Sequence, residues 1–265
     1  MVIIGERINS TRKDIQKAIR SKNSSVIVDE AKRQVDHGAS VLDVNCAMGL
    51  ENEHQDLDWT ISILNDRFPG IGICIDSPNY RAIEAALKVY KGGGAIFINS
   101  ITGEDARIDA ITPLAVKYNA KVIALTMDER GMPEGVEERA AIAEKILKKT
   151  NRHGLKDEAL YFDPLVRPLS TEPEQAKALL AAIPAIKKIG GVKTICGLSN
   201  ISFGLPKRSV INAAFLAMAI YAGLDAGIVD PTDRGIYATI KSATALIGED
   251  EYCAGYIGSF REGKL

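Results

Sequence analysis

Eight short runs rich in β-branched and other apolar residues are strung along this chain, at 2–5, 40–44, 72–75, 95–98, 121–125, 160–162, 193–197 and 226–229. Longer stretches with apolar residues at helical spacing separate them, at 13–20, 26–36, 54–66, 80–89, 105–117, 136–151, 173–188, 210–222 and 235–246. Strand then helix, without a hairpin signal, predicts a parallel sheet with helices packed on it. Eight such units in 265 residues predict an α/β protein of the (β/α)8 TIM-barrel class, one domain over residues 1–265. An open, doubly wound sheet is the competing arrangement. Helix stop signals fall before the next strand, at His37-Gly38, Gly92-Gly93-Gly94, Tyr118-Asn119 and Gly190-Gly191, and Pro78 and Pro173 stand at helix starts.

Composition removes several function classes. A formal net charge of −1 gives no general attraction to nucleic acid or to an anionic membrane. No apolar run approaches the ~18 residues of a membrane span. The opening Met1-Val2-Ile3-Ile4-Gly5-Glu6-Arg7 reaches charge too soon for a secretory signal, so a cytoplasmic location is expected. Cys46, Cys74, Cys196 and Cys253 form no C-x-x-C pair and read as structural residues. With His37, His54 and His153 at no ligand spacing, no protein-bound metal is expected.

The residues that close the strands carry the functional signal. In order they are Glu6, Asp43 with Asn45, Asp76, Asn99, Thr126, Asp163, Asn200 and Asp230. In a barrel all the C-terminal strand ends surround one mouth, so these side chains converge. A single Asp or Asn after a strand is commonly a helix cap or an Asx turn. A whole rim of them reads as a binding site. Strand eight ends in Asp230-Pro231-Thr232-Asp233, which disfavours a phosphate there. Carboxylates and carboxamides suit a ligand rich in N–H donors, such as a 2-amino-4-oxo-pyrimidine edge, whose ring N–H and NH2 match one carboxylate. Pterins and guanines share that edge, and residue chemistry alone leaves both open.

The corner Gly197-Leu198-Ser199-Asn200-Ile201-Ser202-Phe203-Gly204 is the most distinctive of the eight. Together with Gly5-Glu6-Arg7-Ile8-Asn9, Asp43-Val44-Asn45, Ile75-Asp76-Ser77, Ile98-Asn99-Ser100 and Phe162-Asp163-Pro164, it resembles the pterin-binding methyltransferases. Nearest among them is the methyltetrahydrofolate:corrinoid protein methyltransferase group. That group is similar to the folate domain of cobalamin-dependent methionine synthase and, more distantly, to dihydropteroate synthase. The resemblance runs in order from Val2 to about Tyr252.

The resemblance implies transfer of a methyl group between N5 of methyltetrahydrofolate and a corrinoid (cobalamin) carried by a separate corrinoid protein that docks over the mouth. By it, Asp76, Asn99 and Asp163 would hydrogen-bond the pterin ring, and Asn200 would lie near N5. Glu6, Asn9, Asp43, Asn45, Ser199 and Ser202 match motif positions at the same mouth. An N5-methyl amine is a poor donor unless N5 is protonated or strongly hydrogen-bonded as the methyl departs. Asn200 is no conventional acid, so its expected role is to orient a proton-bearing network fed by water or a rim carboxylate. The chemistry runs in either direction, and the partner sets which.

Further expectations attach to neighbouring residues. Lys207 and Arg208 are candidates for the folate's glutamate tail or for solvated charges, and Arg7 for a salt bridge that supports Glu6. Residues 127–133 are a candidate lid or docking surface, or an ordinary loop. The nearly all-apolar stretch 211–224 reads as a helix covered by a homodimer contact, as the family suggests, or packed deep against the barrel. A dihydropteroate-synthase-like condensation, a non-catalytic folate-binding module and a barrel for a guanine-type ligand are the competing functions. The first calls for cations after strands seven and eight, where this chain has Ser199, Asn200 and Asp230.

Overall fold

A computed structural model, describing residues 1–47 and 52–265, shows the eight strands as a closed parallel barrel in sequence order. The strands are β1 (Val2–Asn9), β2 (Val41–Asn45), β3 (Gly72–Asp76), β4 (Ile96–Ile101), β5 (Lys121–Leu125), β6 (Leu160–Asp163), β7 (Lys193–Gly197) and β8 (Ala226–Val229). Around them lie α1 (Lys13–Arg20), α2 (Ser24–Asp36), α3 (Glu53–Arg67), α4 (Tyr80–Val89), α5 (Asp105–Lys117), α6 (Val136–Arg152), α7 (Gln175–Lys187), α8 (Arg208–Tyr221), α9 (Arg234–Leu246) and α10 (Ala254–Arg261). β1 pairs with β8, which closes the barrel and excludes the open sheet. The strand-helix alternation read from the sequence stops at residue 246; α10 lies beyond it. No helix among the described residues is long and apolar enough to cross a membrane.

Each helix buries one stripe against the sheet. In α4, Ala82, Ile83, Ala86 and Leu87 are buried at helical spacing. Burying an Ile or Leu side chain in this way contributes about 1.5–3 kcal/mol. The α2–β2 turn shows how a helix ends. His37 caps α2 and Gly38 follows at φ +86°, in the left-handed region where a side chain is strained.

Inside the barrel, strand alternation sorts the site from the core. Ile4, Val41, Cys74, Phe97, Tyr161 and Ala226 belong to an interior apolar cluster. Two residues further along the same strands stand Glu6, Asp43, Asp76, Asn99, Asp163 and Ile228. With a side-chain period of two, an apolar plug is thus overlaid by a polar layer at the C-terminal mouth. A second apolar cluster fills the space between sheet and helices.

Cys46, Cys74 and Cys196 are buried in these layers, as read from the sequence, but Cys253 is exposed just before α10 and plays no core role.

Candidate functional site

The mouth holds a cavity of about 660 Å³ lined by Glu6, Arg7, Asn9, Asp43, Asp76, Asn99, Ser199, Asn200 and Asp230, with Thr11, Arg12, Gly197, Arg208, Ser209, Asn212, Ile228 and Asp233. Register explains its floor. Asn45 of β2 is the rung partner of Asp76 of β3, which is the rung partner of Asn99 of β4. In-register residues of parallel strands face the same way, so three side chains 54 positions apart at most form one row.

Asn45 and Asp163 stand behind the lining rather than in it. Asn45 Nδ2 donates to Asp76 Oδ2 at 2.9 Å, while its Oδ1 accepts from Ser10 Oγ and Ala47 N, each at 3.1 Å. Its amide is therefore spent on holding Asp76. Asp163 is buried, its Oδ1 accepting from Leu165 N at 2.8 Å and its Oδ2 from Gly197 N at 3.3 Å. Gly197 lies between Asp163 and Asn200: a Cβ there would stand in ordinary contact with both, 3.9 Å from Asn200 Nδ2 and 4.0 Å from Asp163 Oδ2.

Electrostatics at this floor favour protonated carboxyls. Burial pushes Asp163 up to about 6, with the Leu165 and Gly197 N–H groups pulling the other way. Asp43 is raised well above the usual carboxylate range, first by burial and then by the neighbouring Asp76 charge. Its Oδ1 is buried without a hydrogen-bond partner, although the residue itself lines the cavity. Asp76 is raised by burial against the lowering bond from Asn45. Burial also raises Glu6, which accepts from Ser199 Oγ at 2.8 Å.

The first strand carries an irregularity that its sequence does not announce. Pairing with β2 shifts register between Gly5 and Ile8, so Glu6 and Asn9, three apart, both reach the cavity. Gly5 is required here by close approach: a Cβ would lie 2.4 Å from Gln34 Oε1, which accepts from Arg7 N. Asn9 Oδ1 is turned to its own loop, accepting from Thr11 N at 3.0 Å and Thr11 Oγ1 at 2.7 Å.

Several expected placements are corrected. Arg7 pairs not with Glu6 but with Glu30, and with Asp230 at 2.5 Å. Those two acids neutralise it, and Arg7 together with Thr232 holds Asp230 below its ordinary range although burial opposes this. Ser202 does not line the cavity: it is fully buried and accepts from Arg208 Nε at 3.0 Å. Thr126 is likewise buried, donating to Asp163 O. Arg208 lines the cavity and also donates to Ser199 O at 2.6 Å, so it pins the Ser199–Ser202 turn. Residues 127–133 form a tight turn closed by Asp128 and Gly131 and tied to the next loop by Arg167 Nη2 donating to Met132 O at 2.9 Å.

Arg12, Ser209 and Asn212 also line the cavity, outside the motif positions named above, and Asp233 joins them from the acidic corner after β8. Asn212 lies one turn after Arg208 on the same helix face, a spacing visible in the sequence but hidden within an apolar run. Asp233 caps α9, accepting from Gly235 N and Ile236 N. Among the described residues no cluster of His, Cys, Asp or Glu is placed to hold a metal ion.

Residues 5–230 match the family described as pterin binding enzyme. The chain is 33% identical to a methylcorrinoid:tetrahydrofolate methyltransferase of Eubacterium limosum over 268 residues, covering 100% of this chain and 98% of that one. It is 32% identical to a methionine synthase of Mycobacterium leprae over 86% of this chain but 20% of that much longer protein. Among solved structures, a dihydropteroate synthase of Coxiella burnetii in complex with pteroic acid superposes with a TM-score of 0.69 at 17% identity, covering 92% of this chain and 93% of that chain, a likeness of fold.

Proposed function

This chain belongs to the pterin-binding enzymes, and we propose that it transfers a methyl group between N5 of methyltetrahydrofolate and the cobalt of a corrinoid held by a partner protein. The observation that carries this reading is the end-to-end similarity to a methylcorrinoid:tetrahydrofolate methyltransferase. The polar layer fits it. Asp76 and Asn99, with Asp43 beside them on the lining, offer an acceptor and a carboxamide to the 2-amino-4-oxo edge of a pterin, and Asp163 would reach the ring from just behind the lining. The corrinoid cobalt supplies the nucleophile that takes the methyl, or the methyl itself in the reverse direction.

What this chain supplies is control of the proton on N5. A departing tertiary amine needs a proton or a strong hydrogen bond as negative charge builds on nitrogen. Asn200 is exposed in the cavity, one short turn beyond Gly197, and its carboxamide orients the water or acid that serves N5. Burial raises the carboxyls at this floor, Asp43 above all, so they take up a proton more readily than exposed carboxylates and can pass it into that network. Asn200 acts as a hydrogen-bonding aid to transfer and forms no covalent bond.

The partner docks over the mouth. Phe203, three positions after Asn200, is 64% exposed with Arg208 6.0 Å from its ring, and it offers the partner an apolar contact next to the reacting nitrogen. The enzyme works in the cytoplasm as a homodimer. Support for self-association lies on α8, which buries Phe215, Leu216, Ala219 and Ile220 against the barrel and leaves Val210, Met218 and Tyr221 exposed.

The test is a methyl-exchange assay. Purified protein, methyltetrahydrofolate and free cob(I)alamin should give slow transfer, and a corrinoid protein should give faster transfer. Binding without transfer to either acceptor would favour the non-catalytic folate module instead.

A further inference from the structure

Two backbone carbonyls just past β3 and one in the last residues of β4 are all taken by one side chain. Arg107, in the first turn of α5, donates from Nη2 to Ser77 O at 2.9 Å, from Nη1 to Pro78 O at 2.6 Å and from Nε to Ser100 O at 2.9 Å. Ser77 immediately follows Asp76, and Ser100 immediately follows Asn99; Asp76 and Asn99 are rung partners. A backbone bond from Ser77 N to Asn99 O at 3.1 Å joins the two strand ends directly. The guanidinium thus bridges the outgoing chain on both sides of the pair.

The chemistry singles out arginine. Its planar fork presents donors in several fixed directions, whereas a lysine ammonium is a point donor on a flexible stem. Burial disfavours the charge of Arg107 and outweighs the opposing influence of the nearby Glu104 carboxylate. A half-buried cation bonded to three neutral carbonyls is placed for geometry. Arg107 does not reach the main cavity; with Asp76 and Asn99 it lines a neighbouring hollow of about 350 Å³.

We infer that Arg107 is a positioning residue: acting through the backbone of Ser77 and Ser100, it sets the spacing of Asp76 and Asn99 and so the fit of the ring edge they bind. The inference rests on the proposed reading that Asp76 and Asn99 hold the pterin. Asn200 stands on the opposite wall, after β7, so the step at N5 is outside the reach of this clamp.

The experiment compares wild type, Arg107→Lys, Asp76→Ala and the double variant by calorimetric titration with methyltetrahydrofolate and by steady-state transfer to cob(I)alamin. Arg107→Lys should raise Kd and KM by roughly tenfold, the scale of losing charge-assisted hydrogen bonds, with kcat at saturation within about twofold. In the Asp76→Ala background the same change should add clearly less than in wild type, since one of the two residues it positions is gone. An unchanged KM for Arg107→Lys, a fall in kcat alone, or full additivity in the double variant would each overturn the inference. If Arg107→Lys does not fold, Arg107→Gln takes the same measurements. Wild type that fails to bind methyltetrahydrofolate would instead bring down the functional reading beneath it, and this inference with it.

Discussion

Ser199 Oγ donates a 2.8 Å hydrogen bond to Glu6 Oε1 across 193 positions of sequence. It joins the corner after β7 to the bulged end of β1 over the intervening β8, and it is the chief influence opposing the burial that raises Glu6. Replacing Ser199 by Ala should shift the Glu6 titration further upward, read by carboxyl 13C NMR of labelled protein. A Glu6 titration that stays put would show that the bond is not maintained in solution.

Asn200 should separate chemistry from binding. Asn200→Ala is expected to lower kcat for methyl transfer by about 10²–10³, the usual loss on removing a group that stabilises developing charge, while Kd for methyltetrahydrofolate moves by no more than a few-fold. Comparable losses in both would make Asn200 a plain binding residue.

Asp163 predicts a pH dependence with a definite sign. Its folded pKa of about 6 lies above the ordinary 3.8, so between those values the folded state binds more protons than the unfolded. Stability from this group is full below about pH 4 and lost as pH rises toward 6, about 3 kcal/mol in all. Urea unfolding of Asp163→Asn and wild type at pH 5 and pH 8 should show the variant gaining on wild type at the higher pH. Methyltetrahydrofolate affinity should run oppositely in wild type, strengthening through about pH 6 as the carboxylate forms. A pH-independent stability difference would refute the buried, raised carboxyl.

The exposed face of α8 gives an assembly prediction. Sedimentation velocity should show a dimer for wild type and a shift toward monomer for Met218→Glu with Tyr221→Glu, whose side chains are 54% and 84% exposed in the single chain. Burying such residues contributes about 1.5–3 kcal/mol each, enough to move a micromolar dimer. A wild-type monomer at all concentrations would remove the assignment of this face. The exposure itself already excludes a helix packed deep on every side.

Much of the architecture was legible in the residues. The stretches 13–20, 80–89, 105–117, 121–125, 193–197 and 226–229 match helices and strands to the residue, because hydrophobic period and cap residues are local properties. The polar layer was legible for the same reason, since Asp43, Asp76 and Asn99 each stand two places beyond an inward apolar residue.

What the chain order could not express is which neighbours a side chain meets. Glu6 and Asn9 share the cavity only through the register shift in β1, and Arg7 finds Glu30 and Asp230 rather than Glu6 only once β8 closes the barrel. Asn45 and Ser202, motif members both, are consumed by Asp76 and Arg208. Arg107 reads as an ordinary helix charge until three carbonyls, two past the end of β3 and one in β4, meet it. Periodicity, set residue by residue along the chain, determined the barrel and its polar rim. Hydrogen-bond partners, chosen by distance between segments far apart in sequence, were decided by the tertiary structure alone.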